Sequence, residues 1–350
     1  MRGVARSMAM TQISVIGAGA WGTALAAHAA RLGHQVVLWA REPEVAAEVE
    51  RDHTNSMFLQ GVALPTELRA TSDTGEAVAG AELVLLVVPS QHVRAITAKL
   101  AAQLPVGALV AIAAKGIEEG SLLLMSQVVA QTMPAVGSER LAVLSGPSFA
   151  REVARGLPTD VVVASEGGHA ARRVQPILHS RMFRVYSSSD PIGVQTGGAL
   201  KNIIAVAAGV CDGLGLGDNA RAGVITRGLI EIARLGVALG ASPLTFLGMA
   251  GVGDLVLTCT GDQSRNRTLG KQLAEGTDAA TFLAARRSVA EGFSTATAAL
   301  ALARKLGVDM PITEQVVAVL HEGRSVTEAF HRLVDREHKD EMHGLELFTV

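Results

Sequence analysis

One lysine stands out because the sequence around it is almost entirely apolar. Between residues 191 and 211 the only charge is that of Lys201, and residues 202–208 have the pattern of a helix that is apolar on all sides. A buried ammonium is costly unless it is paired or deprotonated, and burial lowers a lysine pKa toward the range that suits proton transfer. The pattern indicates either a proton-transfer lysine in a polar cavity or a structural lysine paired with an acidic group. Gly197 and Gly198 favour the cavity, since they let a ligand or another backbone come close.

Two other charged residues could act with this lysine. Lys115 follows a predicted buried strand and precedes Gly116. Its charge would serve an anionic substrate or the reacting oxygen, unless it is simply solvated. Asp254 lies in an apolar stretch, four residues before Thr258, so the two side chains would share one face of a helix. This aspartate either caps that helix or orients the buried lysine.

The run Ser264-Arg265-Asn266 begins a predicted helix. Serine and asparagine are good helix caps, and free N–H groups beside an arginine form an anion site. The alternative is an ordinary surface helix start. Together with the lysines and the aspartate, this run favours a small phosphorylated substrate.

A Gly-x-Gly-x-x-Gly motif, formed by Gly17, Gly19 and Gly22, follows a predicted strand and begins a predicted helix, which a second strand follows. In that setting the motif strongly indicates a dinucleotide site. The first glycine makes a tight turn, the second lets a pyrophosphate approach the backbone, and the third lets the helix pack on the strand. The helix N-terminus then faces the anion.

The end of the second strand bears on which dinucleotide binds. Enzymes that use NAD usually place an acidic residue there to bind the ribose 2′-hydroxyl. Here Arg41 occupies the region, and Glu42 and Glu44 come only later. Because an arginine can pair with a 2′-phosphate, we expect NADP or NAD to bind, with NADPH preferred. Alternatively, Arg41 only starts a surface helix.

Composition limits the class of protein. The chain has 350 residues, 49% of them hydrophobic and 18% charged, with a net charge of −2, two cysteines and no basic stripe. This favours two globular domains in a reducing cytoplasm, without a disulfide framework, nucleic-acid partner or metal site. The N-terminus lacks the apolar region of a signal peptide, and no apolar run approaches the ~18 residues of a membrane span.

Periodicity predicts an α/β fold, a Rossmann-type doubly wound parallel sheet followed by an all-helical domain. The predicted strands are 12–16, 34–39, 68–71, 83–88, 109–113, 141–145, 160–165 and 183–187. The predicted helices are 23–32, 91–104, 122–133, a helix around Lys201, 222–239, 264–275, 295–306 and 313–321. We predict a dinucleotide domain over 1–190, with an extension at 1–11, and a helical substrate domain over 191–350, with a polar tail at 331–350. Ligands should bind where the strands end.

Several long motifs resemble those of the bacterial NAD(P)-dependent sn-glycerol-3-phosphate dehydrogenases. Among them are VIGAGAWGTALA, AAKGIE, SGPSFA, GGALKN and GVGDLVLTCTGDQSRNR, and the resemblance extends from about Ile13 to Gly323. Members of this family interconvert sn-glycerol 3-phosphate and dihydroxyacetone phosphate and supply the backbone precursor of phospholipids. The resemblance therefore implies an oxidoreductase of lipid biosynthesis, and a homodimer is usual for the family.

The resemblance also implies a role for individual positions. Lys201 corresponds to the proton acceptor in alcohol oxidation, and its ammonium would protonate the forming alkoxide in the reverse direction. The implied substrate positions are Lys115, Gly146, Ser148, Lys201, Asp254, Ser264, Arg265 and Asn266. The implied cofactor positions are Ala20, Trp21, Arg41, Lys115, Ala150, Arg265, Val289 and Glu291, in addition to Gly17, Gly19 and Gly22.

Two alternative functions remain open from the residues alone. A 3-hydroxyacid dehydrogenase of similar architecture would not need the anion site at Ser264-Arg265-Asn266. A dinucleotide sensor without catalysis would keep the glycine motif but have no reason to combine Lys201, Lys115 and Asp254. Oxidation of NADPH by dihydroxyacetone phosphate would distinguish them.

Overall fold

The N-terminal part of the chain forms a single eight-stranded sheet. The computed structural model describes residues 10–284, 291–341 and 343–344. The strands are β1 (Gln12–Ile16), β2 (Gln35–Trp39), β3 (Arg69–Thr71), β4 (Leu83–Leu86), β5 (Leu109–Ile112), β6 (Leu141–Ser145), β7 (Thr159–Ala164) and β8 (Phe183–Ser188). Their spatial order is β3-β2-β1-β4-β5-β6-β7-β8.

Both faces of this sheet are buried. Along β4, Leu83 and Leu85 join one hydrophobic cluster, whereas Val84 and Leu86 join another on the opposite face. Side chains alternate across a strand, so a continuous apolar strand needs cover on both sides. That cover comes from α1 (Ala20–Arg31), α2 (Pro43–Asp52), α3 (Thr74–Val78), α4 (Val93–Leu100), α5 (Met125–Thr132), α6 (Ala150–Ala154) and α7 (His169–Leu178).

One strand pair departs from the predicted parallel arrangement. Strands β6 and β7 pair antiparallel, with Leu144 opposite Val163, whereas the other pairs are parallel. The short helix α6 and a turn at Gly156, where φ is +73°, reverse the chain between them. A connection this short cannot return the chain to the start of the sheet, which a parallel crossover requires.

After β8 the described chain is helical. The helices are α8 (Pro191–Gly213), α9 (Gly217–Ala238), α10 (Asp254–Thr260), α11 (Arg265–Ala274), α12 (Ala279–Ala284), α13 (Glu291–Leu306), α14 (Pro311–His321) and α15 (Val326–Val334). The sequence pattern does not predict α3, α7, α12 or α15, and it places the start of α9 five residues too late. The predicted helices 91–104 and 122–133 are shorter in the structure, as α4 and α5 show.

Helix α8 is the centre of the helical part. Asp190 caps it by accepting a hydrogen bond from the Gly193 amide, and Pro191 occupies its first turn. By length and composition alone the helix could cross a membrane, but 89% of its most apolar window is buried inside the protein. It therefore has the environment of a core helix, packed in the cluster that includes Ile203 and Ile204.

The predicted tail makes specific contacts. Its first residues belong to α15, and Arg336 and Lys339 both pair with Asp309, at 2.8 and 3.3 Å. Arg227 on α9 donates to the Glu341 carbonyl at 2.6 Å. Although most of these residues are exposed, this stretch lies against the helical domain, which differs from the solvated tail that we expected.

Candidate active site

Three charged side chains from distant parts of the sequence meet between the sheet and the helices. Lys201 and Asp254 are 8% and 1% exposed, and the lysine Nζ donates to Asp254 Oδ1. The Lys115 Nζ donates to Asp254 Oδ2 at 2.7 Å. One carboxylate therefore bridges two lysines, as the sequence analysis proposed for Asp254 and Lys201. Asp254 is the first residue of α10, but Gly253 is the N-cap and no side chain caps the helix, so of the two interpretations offered for Asp254 the structure supports the orientation of Lys201.

The pKa values of this cluster are set by burial and by the opposed charges. Burial lowers the pKa of Lys201 to about 8, Asp254 opposes that change, and the charge of Lys115 adds to it. Burial alone would raise the pKa of Asp254, but the two lysines outweigh it, and the net shift is downward. Asp254 is therefore an anion, while Lys201 titrates close to neutral pH, as a proton-transfer group should.

A threonine orients the buried lysine. Thr258 Oγ1 accepts from Lys201 Nζ at 2.9 Å and donates to the Asp254 carbonyl at 2.6 Å. Thr258 lies one turn after Asp254 on α10, and the spacing of four residues that the sequence showed places both side chains beside Lys201.

The glycines before Lys201 let α8 pack closely against other parts of the protein. A Cβ on Gly197 would lie 2.2 Å from the Ala250 carbonyl oxygen, and one on Gly198 would lie 2.5 Å from Ser145 Oγ. Helix α8 therefore approaches both the segment before α10 and the end of β6. Of the two possibilities considered for these glycines, the structure shows close approach of protein atoms.

The residues after β6 join the same cluster. The Gly146 carbonyl accepts from Lys115 Nζ at 3.2 Å and from Ser148 Oγ at 2.9 Å. Gly146 has φ +131°, a conformation that L side chains rarely adopt, and a Cβ would lie 3.0 Å from the Val161 Cα. Ser145 Oγ is buried, and no described residue forms a hydrogen bond with it. An unsatisfied hydroxyl here is available to a ligand.

The start of α11 forms a second polar group near this cluster. Ser264 caps the helix by accepting from the Arg267 amide at 3.2 Å, as its sequence predicted. Asn266 donates to Asn202 Oδ1 at 2.9 Å and accepts from the Gly292 amide at 3.1 Å. Because Asn202 follows the buried lysine on α8, this bond ties the helix start to the lysine-bearing helix.

Arg265 lies at the same helix start. Its side chain is exposed, but the surrounding protein still displaces part of its hydration. Desolvation lowers the pKa of Arg265, and the charge of Glu291 opposes that shift. The Glu291 carboxylate accepts from Ser90 Oγ at 2.8 Å and from the Ser90 amide at 3.3 Å. Since Ser90 follows β4, this contact joins the helical part to the sheet edge.

The glycine motif has the geometry that its sequence indicates. Gly17 has φ +120°, and a Cβ there would lie 2.9 Å from the Val87 carbonyl oxygen. A Cβ on Gly22 would lie 1.8 Å from the Gly17 carbonyl oxygen, so only glycine lets α1 pack on the turn. Beside Gly19, by contrast, a Cβ would meet no atom within 4 Å. The open space thus lies at the position where a pyrophosphate would approach.

The other predicted cofactor positions lie around the sheet edge, with one exception. Ala20 and Trp21 begin α1, and Ala150 begins α6. Arg41 is exposed and donates through Nε and Nη2 to Glu42 Oε1, at 2.9 and 2.6 Å. Val289 lies outside the described residues.

Three residues that complete these contacts are not among the predicted site residues. Asn202 and Ser90 bind predicted site residues, and Ser145 presents a buried hydroxyl without a partner. The signal was available, since each is a polar residue at a predicted strand end or directly after Lys201.

Comparisons with known proteins support the resemblance. Models of the N- and C-terminal domains of NAD-dependent glycerol-3-phosphate dehydrogenase match residues 12–171 and 190–331. The glycerol-3-phosphate dehydrogenase (NAD(P)+) of Citrifermentans bemidjiense is 50% identical over 330 residues, covering 94% of this chain and 98% of that protein. The chain belongs to the NAD-dependent glycerol-3-phosphate dehydrogenase family. This assignment agrees with its mainly parallel sheet and helical C-terminal part.

Solved structures of family members agree. The glycerol-3-phosphate dehydrogenase of Coxiella burnetii has 39% identity and a TM-score of 0.89, covering 93% of this chain and 99% of that one. The enzyme of Saccharomyces cerevisiae has 26% identity and a TM-score of 0.78, covering 93% and 100%. Both therefore share this fold over nearly their full length.

The residues present fit the dinucleotide that the family uses. The open space beside Gly19 faces the N-terminal end of α1, where amide groups and the helix dipole attract an anion. In the same turn, Trp21 Nε1 is buried and has no hydrogen-bond partner among the described residues. A donor left free there is suited to a bound nucleotide.

Proposed function

We propose that this protein interconverts dihydroxyacetone phosphate and sn-glycerol 3-phosphate with NAD(P)H or NAD(P)+, and so supplies the backbone precursor of phospholipids. The observation that carries this proposal is the cluster of Lys115, Asp254 and Lys201, buried between the sheet and the helical part. We assign dinucleotide binding to residues 1–190 and substrate binding to residues 191–350. The family match favours this function over the 3-hydroxyacid dehydrogenase and the sensor.

The bound nicotinamide supplies the hydride, and Lys201 supplies or accepts the proton. In ketone reduction, the Lys201 ammonium donates a proton to the oxygen that becomes the alcohol. In alcohol oxidation, the neutral amine accepts that proton. A pKa of about 8 makes both forms accessible near neutral pH. Asp254 and Thr258 hold the amine in one direction because both accept its hydrogen bonds.

The cluster also suits an anionic substrate. With both lysines protonated and Asp254 ionised, it carries one net positive charge, which stabilises a bound phosphate ester or a developing alkoxide. We assign the phosphate to the start of α11, where Ser264, Arg265 and Asn266 border free helix amides. We assign Gly146 and Ser148 as the remaining substrate positions, because the Gly146 carbonyl accepts from both Lys115 and Ser148.

We assign the pyrophosphate of the cofactor to Gly17, Gly19 and Gly22. Further cofactor contacts are assigned to Ala20, Trp21, Lys115, Ala150, Arg265, Val289 and Glu291. We propose that Arg41 leaves Glu42 and pairs with the 2′-phosphate of NADPH, which makes NADPH the preferred reductant. An exposed ion pair of this kind contributes little, so exchanging its partner costs little. We further propose a homodimer in the cytoplasm.

The test is the loss of NADPH absorbance with dihydroxyacetone phosphate as substrate, repeated with NADH and with unphosphorylated dihydroxyacetone. We expect Arg265→Ala to raise KM for dihydroxyacetone phosphate at least about tenfold, because a charge-assisted contact to phosphate is lost. KM for dihydroxyacetone should hardly change. The matched control is Lys271→Ala, an exposed cation on the same helix. Equal effects of Arg265→Ala on both substrates would remove this residue from the phosphate site, and no NADPH oxidation would refute the proposed function.

A further inference from the structure

A cavity of about 590 Å³ lies in the helical part, away from the cluster around Lys201. Helices α8, α9, α14 and α15 form its walls, and residues 336–339 border it. Its volume falls within the range of about 300–1,000 Å³ that is usual for small-molecule sites. None of the residues assigned above to cofactor or substrate lines it.

Most of the cavity wall is aliphatic. Val206 and Val210 contribute from α8, Val224 from α9, and Ile312 and Val316 from α14. Val206, Ile312 and Val316 also belong to the hydrophobic core, so this wall is fixed by packing. An elongated hydrocarbon chain would remove apolar surface from water here, which is the main favourable contribution to binding in such a cavity.

Two arginines of α9, Arg227 and Arg234, line the cavity. Arg234 is 8% exposed, and its Nε is buried without a hydrogen-bond partner among the described residues. Its Nη atoms donate to the carbonyls of Asp309 and His343. Arg227 donates to another carbonyl, that of Glu341. Neither guanidinium forms a salt bridge within the described ranges, although Glu231 and Asp309 are near enough for their charges to act on Arg234.

The nearby carboxylates are already engaged. Glu231 accepts from the amides of Ile312 and Thr313 at the start of α14. The Asp309 carboxylate pairs with Arg336 and Lys339, while its backbone carbonyl accepts from Arg234. The cavity lining has one more cationic than acidic side chain, counting Glu337 with these. A buried guanidinium with an unpaired Nε and no salt-bridge partner, beside an apolar wall, suits an anion attached to an apolar group.

We propose that this cavity binds a molecule with a single aliphatic chain and an anionic head group, the chain against α8 and α14 and the head group against Arg227 and Arg234. A fatty carboxylate and an alkyl phosphate share this chemistry. The proposal rests on the cavity alone and holds whether or not the proposed dehydrogenase activity is correct.

Isothermal titration calorimetry of the full chain tests it with dodecanoate, dodecyl phosphate and dodecyltrimethylammonium, each below its micelle concentration, and with dodecanol below its solubility limit. We expect both anions to bind once per chain, dodecanol at least about tenfold more weakly, and the cation not at all. The tighter of the two anions identifies the head group. Decanoate should bind about tenfold more weakly than dodecanoate, because less hydrocarbon is buried.

Two variants locate the site. Val224→Trp places a large ring in the cavity from α9 and should abolish dodecanoate binding, whereas Ala222→Trp, exposed on the same helix outside the cavity, should not. Arg227→Gln should weaken both anions about tenfold and leave dodecanol unchanged. Circular dichroism establishes that each variant is folded.

Three results would overturn the proposal. The first is that neither anion binds. The second is that the anions, the alcohol and the cation bind equally well. The third is that folded Val224→Trp binds dodecanoate as tightly as the wild type does. A second copy of the chain could instead cover the apolar wall. In that case the wild-type protein would bind no anion, and the Val224→Trp variant would differ from the wild type in the mass measured by sedimentation.

Discussion

Asp254 and Glu231 are both carboxylates buried in the helical part, yet their pKa values move in opposite directions. Lys115 and Lys201 overcome the burial of Asp254 and lower its pKa. Burial raises the pKa of Glu231 to about 7, and hydrogen bonds from Ile312, Thr313 and the charge of Arg234 only moderate the rise. Asp254 is thus partnered by side chains that can exchange protons, whereas Glu231 is partnered mainly by backbone amides.

This difference separates a chemical site from a structural one. A carboxylate paired with a lysine can fix the position and the pKa of a proton donor, which catalysis requires. A carboxylate that accepts from the amides of α14 satisfies the unpaired N–H groups of a helix start, which holds that helix against α9. Burial and a perturbed pKa alone therefore do not identify an active site. The groups that bind the carboxylate show whether it serves catalysis or structure.

The largest effect that this comparison predicts is that of Lys201→Ala. We expect turnover of dihydroxyacetone phosphate to fall about a thousandfold, because the proton donor is lost. The dissociation constant of NADPH, measured by fluorescence, should stay within about threefold. Lys99→Ala, which removes an exposed lysine of α4, serves as the control. Near-normal turnover of Lys201→Ala would end the assignment of the proton role.

The next prediction concerns Asp254→Asn, which leaves the two lysines without their counter-charge. In the wild type, the kcat/KM of alcohol oxidation should rise with pH through about 8, and that of ketone reduction should fall over the same range. The variant should shift both profiles to lower pH, since Asp254 raises the pKa of Lys201. Urea unfolding at neutral pH should show a loss of about 3 kcal/mol, because buried charges lose their partner. Unshifted profiles would show that Asp254 does not control Lys201.

Glu231→Gln should instead change stability without changing kcat. Because the pKa of Glu231 is raised from 4.5 to about 7, its protonated form stabilises the folded state. That contribution is complete below pH 4.5 and is lost as pH rises through about 7, an effect of about 3 kcal/mol. Urea unfolding at several pH values should show this slope in the wild type and a flatter one in the variant. A drop in kcat of Glu231→Gln would contradict the structural role.

The same contrast explains how much the sequence could predict. Gly17, Gly19 and Gly22 act through local backbone geometry, so their spacing was sufficient. Lys201 was recognised because a lone charge in an apolar helix is unusual, and Asp254 because it is the isolated acid of another apolar segment. Such anomalies are visible within a short window of sequence.

What the sequence could not show depends on distant partners. The amides that Glu231 binds lie 81 and 82 residues away and leave no side-chain pattern, so the residue went unnoticed. The antiparallel β7 was missed because alternation of strands and helices does not give strand direction across a short connection. The contacts of Arg336 and Lys339 with Asp309 could not be predicted either, because a run of charged residues does not show which of them will form ion pairs.

The test with the smallest expected effect compares two threonines, each of which forms a hydrogen bond with a buried ionisable side chain. Thr258 accepts from Lys201 at 2.9 Å, and Thr313 donates to Glu231 at 3.0 Å. Replacing either threonine by valine removes one hydrogen bond to a buried ionisable group. Each replacement should lower the free energy of unfolding in urea by about 1 kcal/mol. Only Thr258→Val should also lower kcat, by about fivefold, and shift its pH profile downward, because the Lys201 ammonium loses an acceptor. Thr313→Val should keep the wild-type kcat and pH profile, since the group it touches takes no part in proton transfer. If both variants lowered kcat equally, the two buried carboxylates would not differ in function, and the distinction between proton-exchanging and backbone-bound partners would fail.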